Sequence, residues 1–261
     1  EVNDIKVYND TTATSPDAVY VALDALDTGD KNIILIMGGA DKGLDMGVLV
    51  AELPRVKKVV YLAGTGTDAL GATNAHGDLK SALTEAWAAA TGGDSILLSP
   101  GFSSKGMFRN EYDRGDQFNA LVQTIPDLSL LKPKVRRLAE QLVAECRAQG
   151  FDIIIARAFR SSEEQDYFYE QGRTRPGQII TMVKGGYSYH NYGAAFDIRP
   201  VGHSDDERGA LYRKAGAIGQ SLGLEWGGAW KDFVDLPHFE YTAGHSIEGF
   251  RNGTLDETKF A

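Results

Sequence analysis

The stretch Ser188-Tyr189-His190-Asn191-Tyr192-Gly193-Ala194-Ala195-Phe196-Asp197 is answered about forty residues later by Asp235-Leu236-Pro237-His238-Phe239-Glu240. Together the two segments supply two imidazoles and a carboxylate, and an open zinc site takes three protein ligands while leaving a position for water. Asp235 stands three positions before His238, close enough for a general base that draws a proton from an activated water. Residue types in this arrangement point to hydrolysis.

The chain has five histidines, His76, His190, His203, His238 and His245. Of these, His190 and His238 lie in aromatic, acid-bearing segments. His203, between Pro200-Val201-Gly202 and Ser204-Asp205-Asp206, and His245, after Thr242-Ala243-Gly244, have loop composition and read as solvated. A purely structural zinc site would be closed by a fourth protein ligand. No cysteine lies near either histidine segment, because the one cysteine is Cys146. Alone it forms no internal disulfide, and its place in a helical pattern predicts a buried thiol.

Ser-x-His-x-x-Gly-x-Ala-x-Asp followed by Asp-x-x-His resembles the signature of the LAS zinc peptidases, which include D-Ala-D-Ala dipeptidases, D,D-carboxypeptidases and phage L-alanyl-D-glutamate endopeptidases. Three further segments resemble the L-Ala-D-Glu endopeptidase branch: Phe159-Arg160-Ser161 with Glu164-Gln165, the run from Tyr169 through Gly172-Arg173-Thr174 to Gly177, and Leu224-Glu225-Trp226-Gly227-Gly228. The resemblance spans about Leu131 to Tyr241. It implies an α+β domain holding one Zn2+ per chain on His190, Asp197 and His238, with Asp235 as catalytic base. Arg160 matches the arginine that sits over the scissile carbonyl in that family; Ser188 and Gln165 are further candidates for positioning substrate, with local backbone hydrogen bonding as the competing reading. A zinc ion lowers the pKa of its bound water to about 7, and a guanidinium beside the developing oxyanion is worth about 100- to 1000-fold in rate.

The elements before this domain follow another pattern. Asn32 to Met37, Lys58 to Leu62 and Ser95 to Leu98 are apolar runs of strand length, while Ser15 to Leu26 and Asp78 to Ala90 carry helical periodicity. Strand alternating with helix predicts a parallel sheet covered on both faces, a three-layer α/β domain. Gly38-Gly39-Ala40-Asp41-Lys42-Gly43 and Ser99-Pro100-Gly101-Phe102-Ser103-Ser104 then fall at the carboxyl ends of strands, where open α/β sheets bind ligands.

With Asn9 to Ser15 and Phe108 to Asp116, these loops resemble the C-terminal domain of a Mur ligase, the D-glutamate-adding type in particular, over about Val7 to Val122. The resemblance implies that Thr14, Lys42 and Ser104 contact the carboxylates of D-glutamate, as suits an ammonium and hydroxyl donors. This chain has Thr12 where the ligase has a lysine, and Glu111 where an aromatic residue is expected. An acid there disfavours a dicarboxylic ligand, so weak D-Glu affinity is expected. The ligase's ATP-binding loop, glycine-rich and ending in Lys-Ser or Lys-Thr, is absent, and Gly64-Thr65-Gly66 does not replace it. No ligation is expected from this chain alone; upstream ligase domains in a longer natural protein would be its partners.

Between the two patterns, Thr124-Ile125-Pro126-Asp127-Leu128-Ser129 breaks the helical periodicity. The expected domains are 1–125, Mur-ligase-C-like, and 126–261, peptidase-like, with an amphipathic helix from Lys132 to Gln149 opening the second. Residues 1–125 carry 10 Lys/Arg against 17 Asp/Glu and the remainder 17 against 19, within a formal net charge of −9. A chain this acidic with no basic stripe has little electrostatic reason to bind nucleic acid or anionic wall polymers. No apolar run approaches the roughly 20 residues of a membrane span, and the first residues lack signal-peptide character, so a cytoplasmic setting is expected. The substrate implied is a muropeptide or peptidoglycan stem peptide containing L-Ala-D-Glu. The alternatives are D-Ala-D-Ala cleavage, or a phage-type endolysin with the front domain as a binding module.

Overall fold

A computed structural model describes residues 1–202 and 204–261; His203 lies outside them. The chain forms two compact units, Glu1–Ile125 and Pro126–Ala261.

In the first unit the order is β1 (Lys6–Asn9), α1 (Pro16–Leu26), β2 (Ile33–Gly38), α2 (Gly47–Glu52), β3 (Lys58–Leu62), α3 (Thr65–Ala69), β4 (Ala75–His76), α4 (Leu79–Ala89), β5 (Ser95–Leu98) and α5 (Glu111–Val122). All strand pairs are parallel, in the order β1-β5-β2-β3-β4. Every residue of β2 is buried, because helices cover both faces. Ile34 and Ile36 pack with Ala82, Leu83 and Ala86 of α4, while Ile33, Leu35 and Met37 pack with Val19 and Leu23 of α1. The helices begin where side chains satisfy their first amides: Ser15 accepts from the Ala18 N–H at 3.4 Å and Asp78 from the Ser81 N–H at 2.8 Å.

In the second unit α6 (Pro133–Ala148), β6 (Ile153–Arg157), α7 (Ser162–Glu170), β7 (Ala195–Pro200), α8 (Asp205–Ser221), β8 (Glu225–Trp226), β9 (His238–Glu240) and α9 (Ile247–Asn252) surround a four-stranded sheet of order β6-β7-β9-β8, antiparallel throughout. Alternation along the strands divides their labour. Phe196, Ile198 and Phe239 enter the core with Leu138 and Leu142 of α6 and Leu211 and Ala215 of α8. Their neighbours Asp197 and His238 emerge on the other face. The Phe196 and Phe239 rings stack at 5.7 Å, which seats the register that places Asp197 opposite His238. Cys146 is buried in α6, and burial pushes its thiol up to about 12. Among the described residues no helix is long and apolar enough to cross a membrane.

Candidate active site

His190 comes from a single 3-10 turn, Tyr189–Tyr192, pinned at both ends. A capping box closes its start, where the Ser188 hydroxyl accepts from the Asn191 N–H and the Asn191 side chain accepts from the Ser188 N–H. Gly193 closes its end with φ of 64°. A Cβ there would sit 2.4 Å from the Leu130 carbonyl oxygen, so both the left-handed backbone and the close approach require glycine. The turn is tied to the segment after β6: the Arg160 N–H donates to the His190 carbonyl at 3.1 Å, and Asn191 Nδ2 donates to the Arg160 carbonyl at 2.9 Å.

Three atoms from separate elements then form a nearly equilateral triangle. His190 Nε2 lies 3.3 Å from His238 Nδ1 and 3.3 Å from Asp197 Oδ1, and His238 Nδ1 lies 3.1 Å from Asp197 Oδ1. Zinc bonds of about 2.0–2.1 Å in a tetrahedron space ligand atoms about 3.3 Å apart, so the triangle fits one face of such a site. Each imidazole can turn a lone pair toward the triangle when its proton sits on the other nitrogen, which faces an acceptor. His190 Nδ1 faces the Ala158 carbonyl oxygen at 2.7 Å, and His238 Nε2 faces Glu240 Oε2 at 2.9 Å. Burial disfavours charge on both partners, but the histidines outweigh it on Asp197 and hold its carboxyl far below the usual range. On His238 the Asp197 and Glu240 carboxylates win, raising the imidazole to about 9.

One cavity of about 540 Å³ opens over the triangle and is also lined by Asp235, Arg160, Ser188 and Trp230. The Asp235 carboxylate accepts no hydrogen bond among the described residues. Burial first, and then the Asp197 charge, raise its pKa above the ordinary aspartate value. That moves it toward the range of a general base. Arg160, nearly buried, donates from Nη1 to Gln165 Oε1 at 2.7 Å, and burial lowers its pKa.

Gln165 lies behind that arginine rather than on the cavity wall. It is fully buried, its oxygen taken by Arg160 and its Nε2 donating to Thr181 Oγ1 and the Val183 carbonyl, each at 2.8 Å. Ser188 reaches the cavity, and its hydroxyl oxygen accepts from the Asn191 N–H in the capping box. His245 stands apart from the triangle and is half-buried rather than solvated: its ring stacks on Phe260 and its Nε2 accepts from the Asp256 N–H at 3.3 Å. The role of Glu240 was not drawn from the sequence. The available signal was its spacing of two from His238 within a strand, which puts both side chains on one face.

In the first unit, Lys42 Nζ donates to both the carbonyl oxygen and the hydroxyl of Thr14, each at 2.8 Å. The loops bearing Lys42 and Ser104 are joined by a backbone bridge between Ala40 and Ser103. Ser104 is buried and Glu111 opens α5.

Comparison with known proteins matches this division. The Mur ligase glutamate ligase domain family matches residues 1–102, and a family described as D-alanyl-D-alanine carboxypeptidase matches residues 182–241. The chain is 41% identical over 133 residues to the peptidoglycan L-alanyl-D-glutamate endopeptidase CwlK of Bacillus subtilis, covering 47% of this chain and 79% of that protein. It is 40% identical over 136 residues to the UDP-N-acetylmuramoylalanine–D-glutamate ligase of a Roseiflexus species, covering 48% of this chain but only 28% of the ligase. Among solved structures, DacB of Streptococcus pneumoniae aligns over 50% of this chain and 76% of its own at 17% identity, with a TM-score of 0.36. The D,D-pentapeptidase VanY, solved with Zn(II), aligns at 17% identity over 50% of this chain and 83% of its own, with a TM-score of 0.35. The chain thus joins a Mur ligase glutamate ligase domain to a peptidoglycan peptidase, and through that second half it belongs to the M15-type peptidases related to CwlK and to the D-Ala-D-Ala carboxypeptidases.

Proposed function

We propose that the second unit is a zinc peptidase that hydrolyses the L-Ala-D-Glu bond of peptidoglycan stem peptides. The observation that carries the peptidase chemistry is the triangle of His190, Asp197 and His238, with Asp235 and Arg160 lining the same cavity. Zinc held there would lower the pKa of a coordinated water to about 7 and polarise the scissile carbonyl. Asp235 takes the proton of the attacking water and passes it to the departing amine; its unbonded carboxylate and raised pKa suit both steps. Arg160, held by Gln165, faces the oxygen on which negative charge develops.

The choice of bond rests on the 41% identity to an L-alanyl-D-glutamate endopeptidase. The match of residues 182–241 to a D-alanyl-D-alanine carboxypeptidase family favours a second reading, removal of a terminal D-alanine. Mass spectrometry of products from a muropeptide panel separates them. Release of a D-Glu-headed peptide is expected, and loss of D-alanine with L-Ala-D-Glu intact would overturn the bond assignment. With a net charge of −9 disfavouring adsorption to anionic wall polymers, small soluble muropeptides in the cytoplasm are the proposed substrates.

For the first unit the proposal is a ligase-derived module without ligase activity of its own. Any D-glutamate bound through Thr14, Lys42 and Ser104 competes with the Lys42–Thr14 hydrogen bonds, and at the position the resemblance gives Glu111 it would meet a like charge, so weak affinity is expected. Calorimetry showing tight, Lys42-dependent D-glutamate binding would refute this.

A further inference from the structure

Three arginines line the cavity over the triangle, Arg157, Arg160 and Arg199. Arg160 is held by Gln165. Arg157 is exposed and, among the described residues, its guanidinium has neither a hydrogen-bond acceptor nor an acid partner; what it touches is the Phe168 ring, 5.1 Å from Cζ to centroid. Arg160 Cζ lies 5.1 Å from the same ring centroid. Two guanidiniums gathered on one aromatic ring repel each other, a cost relieved when an anion binds between or beside them.

The backbone makes a specific provision for this pair. Between Ile155 and Arg157 the β6–β7 register shifts, so that β6 advances two residues while β7 advances one, and Arg157 comes to lie opposite Asp197. Bulges of this kind re-aim a side chain beside a site. The sheet order then spreads three chemistries across the cleft. Arg157 is at the β6 edge, Asp197 and His238 are on the two central strands, and Trp230 follows β8 at the far edge, its ring 5.1 Å from that of His238. A peptide crossing the triangle meets cations on one side and an aromatic surface on the other.

We propose that Arg157 binds the free α-carboxylate of the residue on the amine side of the scissile bond, and so orients the peptide with its leaving portion at the β6 edge. This rests on the peptidase reading above but not on the choice of bond. D-Glutamate joined onward through its γ-carboxyl keeps its α-carboxylate free, one carbon from the scissile nitrogen. A terminal D-alanine carries a carboxylate at the same place.

The test uses the zinc-loaded full chain and two synthetic stem peptides that differ only in the D-Glu α-group, carboxylate or carboxamide. The carboxylate peptide is expected to show kcat/KM about ten- to a hundredfold higher, expressed mainly in KM, as for one charge-assisted hydrogen-bonded contact. Arg157→Gln brings the two peptides to near parity, and Arg157→Lys restores part of the preference. Equal use of both peptides by the unaltered chain, or an unchanged ratio in Arg157→Gln, overturns the proposal. If D-alanine is released instead, the bond assignment fails alone, and a pair of pentapeptides ending in D-alanine or D-alanine amide carries the same comparison. Should neither bond be cut, calorimetry with Asp235→Asn measures the ratio as binding, and absence of a carboxylate preference there rejects the assignment.

Discussion

At the scale of single residues the proposed roles separate groups that would hold a metal from groups that would act on the substrate, and substitutions should separate them too. His190→Ala and His238→Ala each remove a corner of the triangle, so both zinc content by elemental analysis and peptidase turnover are expected to fall to background. Asp235→Asn removes only the base; zinc should stay while kcat falls about 100- to 10,000-fold. Glu240 presents a third behaviour. Its carboxylate faces His238 Nε2 at 2.9 Å and so favours the tautomer that leaves Nδ1 to a metal, and loss of such a partner typically weakens metal affinity about 10- to 100-fold. Glu240→Gln is therefore expected to lose zinc to a chelator at lower concentration than the unaltered chain while unfolding at a similar temperature. Full zinc retention in this variant would leave Glu240 a merely structural acid.

At the scale of elements, the triangle depends on two strands in register and one pinned turn. Asp197 and His238 are held by the β7–β9 ladder and by the stacked phenylalanines beneath it. His190 depends on Gly193. Gly193→Ala introduces a Cβ that meets the Leu130 carbonyl at 2.4 Å in a backbone region unfavourable to alanine by about 1–2 kcal/mol. Thermal unfolding should show a lowered Tm, and zinc affinity should fall with it because the turn that aims His190 must shift. A Gly193→Ala protein with unchanged Tm would contradict that picture.

At the scale of the whole chain, two units with separate cores share one polypeptide. The candidate metal cluster found among the described residues lies in the second, so chelation is expected to lower the stability of that unit only, leaving the melting of the 1–125 unit unmoved in calorimetry. Cys146 adds a pH dependence to the same unit. Burial, with the Glu145 charge second, raises its thiol from an ordinary 9.0 to about 12, so its contribution to stability is fully present below about pH 9 and is lost as pH rises toward 12. Cys146→Ala should show a shallower loss of stability between pH 9 and 11 than the unaltered chain, measured by denaturant unfolding.

Much of this was legible in order along the chain. The parallel sheet of the first unit could be read because β2 and β5 are buried on both faces and β3 in part, so that all three appear as largely apolar runs. The helices beside them announce their starts through Ser15 and Asp78. Short or edge elements such as β1 and β4 carry too little pattern to be read. At the site, residue type and spacing drew attention to two imidazoles and nearby carboxylates, chemically scarce groups in one stretch of chain, while the roles of His190, Asp197, Asp235 and His238 came from the resemblance to the zinc peptidases. What only the tertiary structure decided is where each side chain ends up relative to elements distant in sequence. Gln165 looked like a substrate contact and lies behind Arg160. Glu240 drew no attention and braces His238. Arg157 is aimed at the cavity by a bulge that one residue of register creates. Periodicity along one strand fixes which face a residue takes, whereas its partner across the sheet depends on register and packing, which are settled by elements tens of residues away.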